Sequence, residues 1–120
     1  MPSQPADDVA VVDDDAPVLE SFRFMLETAG FRVATYSSAA AFLDQPWQAP
    51  RCMILDHHMP AMTGLELTLH LRENGNAVPV LLITSAPNAA IRDRARQIGV
   101  RVIEKPPSED ELIRFVREAI

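Results

Sequence analysis

Short apolar runs alternate with amphipathic segments along the whole chain. Residues 9–12, 52–55 and 79–83 are apolar throughout, and residues 31–36 and 100–103 follow a weaker apolar pattern. A brief apolar run bounded by turn formers is typical of a strand that is buried on both faces of a sheet. The pattern therefore predicts five short strands.

The segments between these strands carry apolar residues at helical spacing. Pro17 suits a first helical turn, Gly30 and Gly99 suit helix ends, and Ser108 with Glu111 has the spacing of a capping box. Helices are predicted over residues 17–29, 39–44, 65–74 and 91–98, with a last helix that follows Ser108 and runs to residue 119.

The segment 65–74 is ambiguous, because its leucines at 65, 67, 69 and 71 alternate as they would in a strand. We interpret it as a helix, since Leu and Glu are good helix formers and two parallel strands require a crossover between them. One leucine stripe, Leu67 and Leu71, is then expected on the sheet, and the other, Leu65 and Leu69, on a neighbouring element. Strand and helix thus alternate five times, which predicts a single five-stranded parallel sheet with helices on both faces.

Length and charge narrow the possible functions. A chain of 120 residues has room for one domain. Its net charge is −6, and all of this excess lies in residues 1–60, which argues against nucleic-acid binding by this segment. The single cysteine, Cys52, lies in an apolar run and is expected to be a buried hydrophobe. No signal peptide or membrane-length apolar run is visible, so a cytoplasmic location is expected.

Polar residues follow most of the predicted strands. Asp13 and Asp14 follow the first strand, Asp56 the third, Thr84 the fourth and Lys105 the fifth. Asp56 alone would suit a turn or a helix cap. Because the carboxyl ends of parallel strands share one edge of the sheet, we expect all of these side chains to meet there.

Three carboxylates at one edge require a cation. At an effective dielectric of 20, two charges 4 Å apart repel by about 4 kcal/mol. Lys105 supplies one positive charge, and oxygen ligands with room for waters indicate Mg²⁺ as the other. A carboxylate in such a site can attack a phosphoryl group and hold it as an acyl phosphate. No residue is placed to expel the phosphate quickly, which favours a lasting modification.

Four motifs in this order resemble the receiver domain of two-component response regulators, and most closely the FixJ type. They are VVDDD at 11–15, LDHHMPAMTG at 55–64, LLITSA at 81–86 and IEKPP at 103–107. The resemblance covers residues 1–120 and implies the doubly wound (βα)5 fold, which is flavodoxin-like and CheY-like. It implies a signalling switch that phosphorylation controls, and not an enzyme. The only catalytic activities it implies are self-phosphorylation from small donors and slow loss of the phosphate.

The resemblance also implies a role for each matching residue. Asp56 would accept a phosphoryl group from a histidine kinase, and Asp13 and Asp14 would bind Mg²⁺ together with Asp56. Thr84 would sense the phosphate and Lys105 would pair with it, next to a cis Lys105–Pro106 bond. A homodimer that forms on phosphorylation is a further possibility that the family suggests, and no membrane contact is expected.

This sequence departs from the family pattern at two positions. Val102 stands three residues before Lys105, where receivers usually carry a switching Tyr or Phe, and a valine cannot swing as a ring does. Pro107 replaces the common phenylalanine and should stiffen the entry to the last helix.

Two further sets of residues have open roles. His58 occupies a position that tunes dephosphorylation in the family and could lean over the phosphate, or it could be a solvated loop histidine; for His57 the solvated interpretation is preferred. The arginines of the fourth helix are equally suited to a solvated face and to a subunit interface: Arg92, Arg94 and Arg96.

Three alternative functions compete with the receiver. An aspartate-nucleophile phosphatase needs an acid two residues after the nucleophile, where this chain has His58. A dinucleotide-binding module needs a glycine-rich first turn, and the acidic run 13–15 is the opposite. A phosphate-independent interaction module with the receiver fold agrees with Val102 but not with the complete acid, hydroxyl and lysine set. FixJ-type proteins continue into a linker and a helix-turn-helix domain, and both an excised and a stand-alone receiver stay open.

Overall fold

The computed structural model describes residues 7–44 and 50–120, in which five parallel strands form one sheet in the order β2-β1-β3-β4-β5. The strands are β1 (Val9–Val12), β2 (Val33–Tyr36), β3 (Cys52–Asp56), β4 (Val80–Thr84) and β5 (Arg101–Glu104). The helices between and after them are α1 (Ala16–Thr28), α2 (Ala39–Leu43), α3 (Gly64–Glu73), α4 (Ala89–Gln97) and α5 (Glu109–Ala119). The predicted five-stranded parallel sheet is confirmed. None of the described helices is long and apolar enough to cross a membrane.

The sheet separates two apolar cores, because successive side chains of a strand point to opposite faces. On one face, Ala10, Met53 and Leu82 pack with the helical residues Phe42 of α2 and Leu67 of α3. On the other face, strand residues pack with helices α1 and α5, through Val11, Ile54, Ile83, Leu26 and Leu112. The three central strands are covered on both sides, which is why their apolar runs are continuous.

The two edge strands differ slightly from their predicted bounds. Strand β2 begins at Val33 rather than at residue 31, and its residues are half-buried. Strand β5 begins at Arg101, because the N–H of Val100 instead donates to the carbonyl of Ala95 at the end of α4. An edge strand is paired on one side only, so its apolar pattern and its ends are weaker signals than those of a central strand.

Segment α3 is a helix, as interpreted, despite its alternating leucines. A capping box begins it, in which Thr63 and Glu66 exchange side-chain and backbone hydrogen bonds. Leu67 and Leu71 are buried as expected, Leu65 is also buried, and Leu69 is half-buried. The second leucine stripe is therefore partly covered and does not form an exposed apolar surface.

The only cysteine of the chain, Cys52, is fully buried in β3. Burial, with a smaller effect from the charge of Asp8, raises its pKa to about 12. A thiol with so high a pKa is a poor nucleophile, so its predicted role as a small hydrophobe is confirmed.

Candidate functional site

The polar residues that follow the strands meet at one edge of the sheet, as predicted from the sequence. Asp56 and Thr84 are the last residues of the neighbouring strands β3 and β4, and Asp13 comes directly after β1. These three residues are at least 96% buried: the exposed fraction is 1% for Asp13, 4% for Asp56 and 0% for Thr84. Buried polar side chains are costly unless they have partners, so their contacts define the site.

Lys105 reaches this edge from the end of β5 and bridges two of the carboxylates. Its Nζ lies 3.1 Å from Oδ2 of Asp13 and 3.3 Å from Oδ1 of Asp56. Burial alone would lower the pKa of Lys105, but the hydrogen bonds and charges of Asp13 and Asp56 outweigh burial and raise it. The lysine therefore stays an ammonium ion between two buried acids.

The three consecutive aspartates after β1, residues 13–15, have two different roles. Carboxylate oxygens of Asp13, Asp14 and Asp56 all lie within 4.8 Å of one another, with Asp14 exposed. Asp15 instead caps α1, because its Oδ1 accepts a hydrogen bond from the N–H of Val18 at 3.3 Å. Two of the three adjacent acids thus belong to the site, and the third begins a helix.

The three clustered carboxylates fit a Mg²⁺ ion. Among the residues that the structure describes, one ammonium group opposes them, that of Lys105, so negative charge remains in excess. Burial and the charge of Asp56 raise the pKa of Asp13, although a backbone hydrogen bond from Asp15 and the ammonium of Lys105 act in the opposite direction. Mg²⁺ binds proteins through a few carboxylate oxygens and keeps several of its water ligands. The exposed side of this cluster, at Asp14, leaves room for those waters.

The side-chain hydroxyl of Thr84 has two hydrogen-bond partners in the described part of the chain. Its Oγ1 accepts from the N–H of Ala86 at 3.2 Å and lies 2.7 Å from Nε2 of His58. The backbone N–H of His58 also donates to Oδ1 of Asp56 at 3.3 Å. His58 is therefore part of the site rather than a free loop side chain. Its contact with Thr84 depends on the path of the loop and cannot be seen in the sequence.

The expectation that His57 is a solvated histidine is wrong. Its ring is half-buried, and its Nδ1 is buried without a hydrogen-bond partner among the described residues. Burial lowers the pKa of His57, and the adjacent His58 lowers it further. The two rings meet edge to face, with centroids 5.1 Å apart, so His57 supports the position of His58.

Three other predicted features do not involve the clustered carboxylates themselves. The Lys105–Pro106 bond is cis, as the resemblance implied. Val102, which stands where receivers usually carry the aromatic switch, is half-buried and packs against the core that also contains Ala95 of α4. The three arginines of α4 are exposed, and Arg96 pairs with Asp93 at 3.3 Å. A solvated face and an interface both agree with that exposure, and the interface stays a prediction.

The sequence matches the family described as the response regulator receiver domain over residues 9–117. The chain belongs to this family. It is 33% identical over 114 residues to the transcriptional regulatory protein FixJ of Bradyrhizobium diazoefficiens, covering 93% of this chain and 56% of FixJ. It is 35% identical to the response regulator protein TmoT of Ectopseudomonas mendocina, covering 93% of this chain and 52% of TmoT.

Solved structures agree with these relatives. A response regulator receiver protein from Burkholderia phymatum is 39% identical, covers 92% of both chains and superposes with a TM-score of 0.78. The chain spans about half the length of the curated relatives it matches. It is a receiver domain of phosphorylation-controlled two-component signalling, and the predicted resemblance to this family is confirmed.

Proposed function

We propose that residues 1–120 form a receiver in which Asp56 accepts a phosphoryl group from a histidine kinase, with Mg²⁺ held by Asp13, Asp14 and Asp56. The observation that carries this proposal is the position of the Asp56 carboxylate. It is 96% buried, 3.3 Å from the ammonium of Lys105 and within 4.8 Å of two further carboxylates. A buried carboxylate with a cation beside it suits a nucleophile that takes up a highly charged group.

The contacts of Asp56 leave both of its oxygens available for the reaction. Oδ1 accepts the N–H of His58 and faces Lys105, whereas no described residue donates a hydrogen bond to Oδ2. One carboxylate oxygen would hold Mg²⁺, and the other attacks phosphorus in line. A bond forms between that oxygen and phosphorus, and the bond between phosphorus and the donor breaks, so that its electrons leave with the imidazole of the kinase or with acetate.

The surrounding residues stabilise the transferred group. Lys105 is positioned to pair with a phosphoryl oxygen, because its ammonium already contacts the acceptor carboxylate at 3.3 Å. Thr84 offers a hydroxyl at the same edge of the sheet. When bound at the three carboxylates, Mg²⁺ supplies positive charge to the phosphoryl oxygens. The reaction is proposed to take place in the cytoplasm, where the kinase supplies the phosphoryl group. Phosphorylation is proposed to favour a homodimer that forms through the exposed arginines of α4.

Intact mass after incubation with a small phosphoryl donor tests this function. With acetyl phosphate and Mg²⁺ we expect the protein to gain the mass of one phosphoryl group, and with a chelator in place of Mg²⁺ we expect no gain. Phosphoramidate, whose phosphorus–nitrogen bond resembles that of a phosphohistidine, is the second donor. No gain from either donor or from a histidine kinase would favour the phosphate-independent interaction module, and an equal gain with the chelator would contradict the metal role.

Asp13→Asn should raise the free energy of unfolding of the metal-free protein near neutral pH by about 1 kcal/mol, because burial disfavours the carboxylate more than its partners favour it and Lys105 keeps Asp56 as a partner. Burial raises the pKa of Asp13 above its ordinary value of 3.8, so the favourable contribution of this group is present below that pH and is lost as the pH rises through the folded-state pKa. The advantage of the variant should therefore vanish in acid. Urea denaturation of the wild type and the variant, at neutral pH and below about pH 3.8, measures the difference in the free energy of unfolding and its loss in acid.

Mg²⁺ should stabilise the Asp13→Asn variant less than it stabilises the wild type. A ligand that binds only the folded state stabilises it, so millimolar Mg²⁺ should shift the wild-type denaturation midpoint more than that of Asp13→Asn. Asp44→Asn removes an exposed carboxylate outside the cluster and serves as the control. An Asp13→Asn protein with a wild-type Mg²⁺ response would remove Asp13 from the ligand set.

A further inference from the structure

We propose that His58 is a positioning residue that holds the hydroxyl proton of Thr84 in the unphosphorylated protein and so competes with the phosphoryl group for it. This inference rests on the proposed roles of Asp56 and Thr84. It assigns a function to a contact, Nε2 of His58 to Oγ1 of Thr84 at 2.7 Å, that the phosphorylation chemistry itself does not use.

The direction of this hydrogen bond follows from the contacts of Thr84. A threonine hydroxyl has one proton to donate and lone pairs to accept with. The N–H of Ala86 already donates to Oγ1 at 3.2 Å, and among the described residues the second partner of Oγ1 is His58. If His58 also donated, the hydroxyl proton of a fully buried residue would have no acceptor. The satisfied arrangement has the hydroxyl donating to Nε2, with the imidazole proton on Nδ1.

A single proton cannot serve two acceptors equally well. A phosphoryl oxygen on Asp56 is a strong acceptor and requires the same hydroxyl proton. Asp56 lies opposite Ile83 in the register of β3 and β4, so Thr84 stands one residue further along, at the same edge as the acceptor. Thr84 therefore has to release His58 before it can donate to the phosphoryl group.

The two partners differ in their freedom to move. Thr84 is fully buried and can only rotate its side chain, whereas His58 is exposed and its ring can turn toward solvent without opening the core. The backbone of His58 is held to Oδ1 of Asp56 at 3.3 Å, so a change at the acceptor also reaches the loop that carries the ring. The contact favours the resting state, and breaking it is part of the switch.

The binding of beryllofluoride, a mimic of an acyl phosphate, measures this competition. In the presence of Mg²⁺ we expect His58→Ala to bind the mimic about fivefold more tightly than the wild type, the factor that corresponds to ~1 kcal/mol for one net hydrogen bond. His70→Ala removes an exposed imidazole in the last turn of α3, outside the site, and should keep the wild-type affinity. His58→Gln offers an acceptor again and should restore it. Equal or weaker binding by His58→Ala would overturn the proposal.

Nitrogen NMR of the imidazoles provides a readout that needs no phosphoryl mimic. In the resting protein, Nε2 of His58 should carry no proton and should accept a hydrogen bond, and beryllofluoride with Mg²⁺ should abolish that hydrogen bond. A proton on Nε2 in the resting protein would contradict the inference while leaving the proposed function intact. A wild type that does not bind the mimic would count against Asp56 as the acceptor, and the inference would fall with it.

Discussion

Asp56→Asn should abolish phosphorylation while the protein keeps its fold. The amide has nearly the shape of the carboxylate and can still accept from the N–H of His58, but it has no anionic oxygen to attack phosphorus. Stability should not fall, because the change removes one of three clustered carboxylates and leaves Lys105 paired with Asp13 at 3.1 Å. Intact mass after treatment with acetyl phosphate and Mg²⁺ measures the first effect, and urea denaturation measures the second.

The informative control is Asp44→Asn, which makes the same chemical change at an exposed position after α2. It should be phosphorylated like the wild type. Phosphate that is still incorporated by Asp56→Asn, and that hydroxylamine releases as it does an acyl phosphate, would move the acceptor to another carboxylate. Asp13 and Asp14 would then be the next candidates, since their oxygens lie in the same cluster.

The position of the site could be predicted from the sequence because a parallel sheet fixes where its strands end. Once the five apolar runs were interpreted as parallel strands, the residues that follow them had to share an edge. Asp13, Asp56, Thr84 and Lys105 meet there as expected, and the leucine alternation in α3 was overridden by the need for a crossover. The weakest predictions fell on β2 and β5, where one side of the strand has no partner.

The contacts within the site could not be predicted in the same way. His57 and His58 lie in the loop between β3 and α3, and no periodicity constrains the direction of a loop side chain. Which ring reaches Thr84, and which is half-buried, depends on the path that the loop takes to Gly64. Two adjacent histidines with the same chemistry in the sequence therefore have different roles in the structure.

Gly64→Ala should destabilise the protein by about 3 kcal/mol, although alanine is the better helix former at the start of α3. A Cβ at this position would lie 2.6 Å from the backbone oxygen of Asp56 and 2.6 Å from Cδ1 of Leu82. Neither neighbour can give way easily, because one is the backbone of the last residue of β3 and the other is a fully buried side chain. Chemical denaturation measures the loss of stability.

A matched control separates crowding from backbone strain. Gly75 has a φ of +78°, and a Cβ added there would have no neighbour within 4 Å, so Gly75→Ala meets strain without crowding and should cost about 1 kcal/mol. If Gly64→Ala is no worse than Gly75→Ala, the close packing of α3 against the acceptor strand is not what requires glycine. A larger loss, together with slower phosphorylation of Asp56 in the folded fraction, would show that this contact positions the acceptor as well as the helix.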